Sequence, residues 1–263
     1  AEKASSNSSL KRFTYILAGD GDLQEPIALG ASTLAGHWRL SNLVMFYDKN
    51  DIQITGNTCR ADSTDYAKLY EAMGWHVQEI DGHNHEEIRS AIKSAQLNDK
   101  PSIIIGRTVI AKGSHSLENS HKSHGAPFSE DEIKLTKEKL EIPQDSFFCN
   151  EDIIGHFQRN FDTLNSKITA IDKEFEKNNY NLDQMFESLS VPDFGSDLMA
   201  TRQAFGLSLD EFAEKFPHII GGSADLDGSN CTTNFANSYD DFSSSNPKGR
   251  NIPFGVREFP MGA

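Results

Sequence analysis

The sequence predicts an α/β fold, a doubly wound parallel sheet followed by the start of a second α/β domain. Three observations predict it. Apolar, β-rich runs alternate with helix-patterned segments over residues 12–110. One run, Leu43-Val44-Met45-Phe46-Tyr47, is continuously apolar, as a strand covered on both faces requires. Two runs end on polar residues, Gly19-Asp20-Gly21 and Asp48-Lys49-Asn50. In parallel sheets such carboxyl ends are where ligands sit.

Taken in order, residues 1–11 are small and polar and form a flexible lead-in. A strand covers 12–18, and Gly-Asp-Gly makes a turn. Pro26 suits the first turn of a helix, and 27–35 continue it. The next strand is 43–47. A short helix over 64–73 and a strand over 75–80 follow. Residues 84–96 carry Ile88, Ala91, Ile92 and Ala95 at helical spacing. Residues 101–110 form the fourth strand, and 111–127 a loop rich in Gly, Ser and His. Ser129 caps a helix over 129–140, with acids in its first turn and lysines later.

Residues 151–189 are helical and polar. Ile154, Phe157, Phe161, Leu164 and Ile168 form a stripe expected to pack into the core. Val191-Pro192-Asp193-Phe194-Gly195-Ser196 breaks the helical pattern and marks a linker over 191–197. The domains are therefore 1–190 and 198–263. In the second, 198–216 are helical, 218–220 form a strand, and 227–251 form a Ser/Asn-rich loop. No internal repeat is present.

With 263 residues, 37% of them hydrophobic and 10% aromatic, the chain can bury a sizeable core. A net charge of −14 argues against a nucleic-acid or anionic-membrane surface. It leaves a phosphorylated ligand open, because a site can be locally cationic. No run has the apolar length of a membrane span. Residues 1–9 lack the apolar core of a signal peptide. Cys59, Cys149 and Cys231 are odd in number and widely separated, against a disulfide framework or zinc site. A reducing, cytoplasmic location is expected.

Asp20 and Asn50 each lie just past a strand's carboxyl end, so both can face one ligand. A carboxylate, an amide oxygen and a nearby backbone carbonyl are hard oxygen donors suited to Mg²⁺ or Ca²⁺ beside phosphate. Gly21 lets the backbone approach a diphosphate at the following helix N-terminus. Taken alone, both segments are also ordinary turn chemistry.

The surrounding text resembles the transketolase family. The similar segments are Leu23-Gln24-Glu25, Leu34-Ala35-Gly36-His37-Trp38-Arg39-Leu40, Tyr70-Glu71-Ala72-Met73-Gly74-Trp75, His124-Gly125-Ala126-Pro127, Gly221-Gly222-Ser223-Ala224-Asp225-Leu226 and Gly255-Val256-Arg257-Glu258-Phe259. All stand in family order. The resemblance implies thiamine diphosphate as cofactor and a two-carbon ketol transfer from a ketose phosphate to an aldose phosphate. It implies that Asp20, Asn50 and the Ile52 carbonyl anchor the metal. Glu258 then contacts N1′ of the aminopyrimidine and favours the imino tautomer that deprotonates the thiazolium C2. Such a carboxyl needs a pKa raised by burial. His124 is implied as a contact to cofactor phosphate and substrate and as a proton carrier. Arg202 and Ser229 match contacts to the substrate phosphate. Asp225 and Leu226 match positions near the thiazolium, and Glu25 a glutamate linking paired sites across a homodimer.

Some positions depart from the family pattern. Asp22 adds negative charge beside Asp20, Pro26 replaces a usual Gly, Gly228 a usual Pro, and Pro260 a small residue. The similarity runs from about residue 12 to the end, a middle portion of a full transketolase. The chain is therefore expected to be a fragment, or one completed by a second chain, and incomplete for catalysis alone. Two alternatives stay open: a dihydroxyacetone synthase-like enzyme, and a truncated, non-catalytic homologue acting as a binding or assembly partner.

Overall fold

The computed structural model describes residues 12–176, 182–196 and 198–263. The polar lead-in over 1–11 lies outside the described residues. Two compact units emerge. One comprises Ala1–Asp51, Thr58–Thr108 and Asp183–Ala263, the other Ile52–Asn57 and Val109–Leu182.

The first unit opens with β1 (Thr14–Gly19), α1 (Asp20–Gln24), α2 (Pro26–His37) and β2 (Leu43–Lys49). Next in the chain, β3 (Ile52–Gln53) and β4 (Gly56–Asn57) pair antiparallel within the second unit. The first unit resumes with α3 (Tyr66–Ala72), β5 (His76–Asp81), α4 (His85–Leu97) and β6 (Ser102–Arg107). The four long strands form one parallel sheet in the order β1-β2-β6-β5.

Strand alternation divides the side chains between two faces. Met45, Tyr47, Ile103 and Ile105 meet Leu23 of α1, Ala35 of α2 and Tyr66 and Tyr70 of α3. Val44 and Ile104 meet Ala91 and Ala95 of α4 on the other. Helices thus cover both faces, and the doubly wound sheet expected from the continuous apolar run is present. One close approach locks α2 against the turn before β5. A Cβ on Gly36 would stand 1.8 Å from the Met73 carbonyl oxygen, so only glycine fits. Beside it, the Trp75 indole N–H donates to the Ser32 carbonyl at 2.9 Å.

The second unit carries α5 (Glu130–Lys139) and α6 (Glu151–Glu176). Ser129 caps α5 as expected, accepting from the Glu132 amide at 3.2 Å. The stripe on α6 corrects an expectation. Ile154, Phe157, Phe161, Leu164 and Ile168 remain between 43% and 60% exposed. Helical periodicity establishes that a face is apolar, but not that another layer covers it. Among the described residues, no helix is long and apolar enough to cross a membrane.

The chain continues through α7 (Leu182–Glu187), α8 (Thr201–Lys215), β7 (Gly221–Ser223), α9 (Asp227–Asn230), α10 (Thr233–Tyr239), β8 (Asn251–Pro253) and α11 (Glu258–Gly262). The strand expected at 218–220 forms instead at Gly221–Ser223, paired in parallel with β8. The Ile219 amide donates to Phe216 at 3.1 Å, and its carbonyl accepts from Arg250 Nε at 2.8 Å. The Ile219 amide is therefore committed away from a ladder. The loop expected over 227–251 contains α9 and α10, anchored by Phe235, which is 1% exposed.

Candidate functional site

The expected Gly-Asp-Gly turn is the start of a helix. Gly19 is the N-cap residue of α1, in extended conformation. Its N–H donates to the Asp22 carboxylate at 2.8 Å, satisfying a helix-start donor. The extra acid at position 22 therefore serves the helix start. Asp20 follows, only 5% exposed.

Its carboxylate collects three donors, all from the end of β2. The Tyr47 hydroxyl donates to Oδ1 at 2.8 Å. The amides of Asn50 and Asp51 donate to Oδ2 at 3.2 and 3.1 Å. Sheet register delivers them, because parallel pairing sets Gly19 opposite Asp48. Asp51 adopts a left-handed conformation (φ 60°), which aspartate tolerates better than most residues. An ion pair with Lys49 holds its side chain.

Burial pushes the Asp20 carboxyl above the ordinary carboxylate range, with the Asp51 charge adding to it. The Tyr47 hydroxyl and the two amides pull the other way without cancelling the shift. Burial, and then Asp20 itself, raises the Tyr47 hydroxyl far above the normal tyrosine value. At neutral pH it is a permanent donor.

The other predicted residues are distributed as follows. Asn50 is half-buried beside Asp20. Gly21 lies exposed within α1, and Glu25 exposed where α1 passes into α2. Ile52 opens β3 in the second unit. His124 is exposed, just after a 3₁₀ turn over His121–Ser123 in that same unit. Its loop is pinned through Glu132, which accepts from the Ser116 amide at 2.8 Å and hydroxyl at 2.7 Å. Arg202 is exposed in the first turn of α8. Asp225 (φ 64°) and Leu226 lead into α9, where Ser229 is exposed.

Glu258 opens α11, which packs on α2. A Cβ on Gly30 would come within 2.6 Å of the Pro260 ring, so the unusual proline fills the space glycine leaves. Arg257 donates to Thr33 Oγ1 at 3.2 Å. These two residues make the contact, and Glu258 itself is exposed. The burial expected for its carboxyl is thus not supplied within the described residues.

Sequence reasoning missed Tyr47 and Glu132. Tyr47 was hidden in an apolar run. The available signal was its place three residues before Asn50, at a strand's carboxyl end.

Residues of these types could hold a hard divalent cation. Asp20 presents a fixed, buried carboxylate, and Asn50, whose backbone amide lies 3.2 Å from it, carries an amide oxygen in its side chain. Among the described residues, no three His, Cys, Asp or Glu side chains gather into a metal cluster. A set of one acid, one amide and backbone oxygen needs no such cluster.

The family model for the transketolase thiamine diphosphate binding domain matches residues 2–190. That for the transketolase pyrimidine binding domain matches residues 197–263. A transketolase of Halalkalibacterium halodurans is 36% identical over 273 residues, covering 95% of this chain and 40% of that protein. A chloroplastic transketolase of Zea mays is 35% identical over 271 residues, with 95% and 40% covered. The crystal structure of Campylobacter jejuni transketolase superposes with a TM-score of 0.90 at 36% identity, covering 99% of this chain and 41% of that one. A Pichia stipitis transketolase in complex with sedoheptulose 7-phosphate gives 0.80 at 32% identity, with 95% and 40% covered. The chain thus spans about 40% of the length of these relatives. From the thiamine diphosphate-binding domain matched over most of its length, this chain belongs to the transketolase family.

Proposed function

We propose that this chain binds thiamine diphosphate with Mg²⁺ at the carboxyl ends of β1 and β2, and serves transketolase-type ketol transfer between sugar phosphates. The observation that carries this is the buried Asp20 carboxylate, held at both oxygens by donors from residues 47, 50 and 51. A charge kept in such a place costs stability unless something cationic meets it. Asp20 and Asn50 would hold the metal, and Gly21 would leave room for diphosphate. When bound, thiamine diphosphate supplies the electron-accepting centre for breaking and forming the carbon–carbon bond.

The chain's own residues orient and exchange protons. Glu258 faces solvent on α11, and an aminopyrimidine ring seated over it would take its carboxyl out of water. Arg202 and Ser229 offer a guanidinium and a hydroxyl for a sugar phosphate. His124 is an exposed imidazole, a side chain with ring nitrogens that can donate and accept a hydrogen bond. The division into domains over 1–190 and 198–263 belongs to the same proposal, as does assembly into a homodimer.

Calorimetric titration with thiamine diphosphate and Mg²⁺ tests this, comparing the wild-type chain with Asp20→Ala. The expected result is micromolar binding by the wild type, lost in the variant. Equal binding by both, or none by a folded wild type, would overturn the proposal.

A further inference from the structure

The Asp20 carboxylate offers about four lone-pair directions. Oδ2 spends two of them on the Asn50 and Asp51 amides. Oδ1 spends one on the Tyr47 hydroxyl. The remaining lone pair therefore sits on Oδ1, the oxygen that Tyr47 holds. Tyr47 is itself immobilised. It is 2% exposed, and its ring meets that of Tyr66 edge-on at 5.8 Å.

We infer that Tyr47 is a positioning residue for the metal, its hydroxyl setting the direction in which Asp20 Oδ1 presents its open lone pair. The two amides alone leave the carboxylate free to pivot about Oδ2. The hydroxyl removes that freedom. Hydrogen bonds from outside the ligand set orient metal-binding carboxylates in this way, and losing one typically weakens metal affinity about 10–100-fold. Because this rests on the metal-binding role proposed for Asp20, the test must separate the two.

Mn²⁺ serves as the spectroscopic probe, titrated with thiamine diphosphate into the wild-type chain, Tyr47→Phe and Tyr66→Phe. Electron paramagnetic resonance reads both bound fraction and symmetry of the ion. Tyr47→Phe is expected to bind Mn²⁺ about 10–100-fold more weakly and with an altered spectrum. Tyr66→Phe, which also removes a hydroxyl from this aromatic pair, is expected to match the wild type. A Tyr47→Phe protein with wild-type affinity and spectrum overturns the positioning role while leaving the metal site standing. A folded wild type that binds no Mn²⁺ overturns both.

If Tyr47→Phe does not fold, the wild type alone still decides. Adding Mg²⁺ with inorganic diphosphate, which does not absorb in the near ultraviolet, should perturb tyrosine absorbance. Bound cation without that perturbation would overturn the positioning role.

Discussion

Replacing Asp20 with Asn should make the cofactor-free chain more stable at neutral pH. The amide side chain can keep all three hydrogen bonds. Its oxygen accepts from the Asn50 and Asp51 amides, and its NH₂ donates to the Tyr47 hydroxyl, whose own hydrogen then loses Asp20 as its acceptor, just as it does beside a protonated carboxyl. What changes is the buried charge. The folded-state pKa of Asp20 is raised above its unfolded value, chiefly by burial, so the folded chain holds that proton more tightly. The stability this confers is complete below the unfolded value, near pH 4. It is lost as pH rises through the folded value.

Asp20→Asn should therefore match the wild type below about pH 4 and melt higher at pH 7. Each 1 kcal/mol of gain corresponds to roughly 2–4 °C in a domain of this size. Ligand reverses the order. A ligand bound only by the folded wild type, at 100 times its Kd, adds about 2.7 kcal/mol, which the variant does not receive. Thermal melts at pH 3.5 and 7, with and without thiamine diphosphate and Mg²⁺, make the measurement. A variant less stable than the ligand-free wild type at pH 7, or a difference independent of pH, would refute the reasoning.

Two further outcomes follow from the packing. Gly36→Ala places a methyl 1.8 Å from the Met73 carbonyl oxygen, a rigid backbone atom, and should cost about 1–3 kcal/mol by denaturant titration; an unchanged midpoint would show that the α2 contact is loose. Glu132→Ala frees the Ser116 amide and hydroxyl, and should speed tryptic cleavage at Lys112 and Lys122, while a cleavage rate equal to wild type would disprove the pin. The Glu132 pKa is lowered, first by the Ser116 hydroxyl, so its contribution is present above the unfolded value and is lost as pH falls through the folded one. Acidifying the wild type should loosen the same loop.

The sheet was legible because its signals are local and redundant. Apolar runs of the right length, separated by helix-patterned segments, admit few alternatives. The juxtaposition of Asp20 and Asn50 was legible for the same reason, since both follow strand ends. Tyr47 was not, because a tyrosine in an apolar run looks like core filling. Its hydroxyl has a purpose only once β1 and β2 are in register. The α6 stripe misled in the opposite sense. Phe157 and Phe161 have helical spacing, yet burial depends on a neighbouring layer that spacing does not report. The turn read at Gly19-Asp20-Gly21 failed on a single bond, the Asp22 carboxylate taking the Gly19 amide, which starts a helix where composition suggests a bend.

The donors to Asp20 come from residues 27 to 31 positions further along the chain. That separation ties the site to the correctness of the fold. A slip of one residue between β1 and β2 would turn Tyr47 to the opposite face of the sheet. The carboxylate would then be stranded without its hydroxyl, and the two amides would point at nothing. No misregistered sheet can assemble this constellation, so metal capture would select the correctly paired chain from its near misses. The residue that makes the fold costly without a cation would also be the one through which a cation enforces the fold.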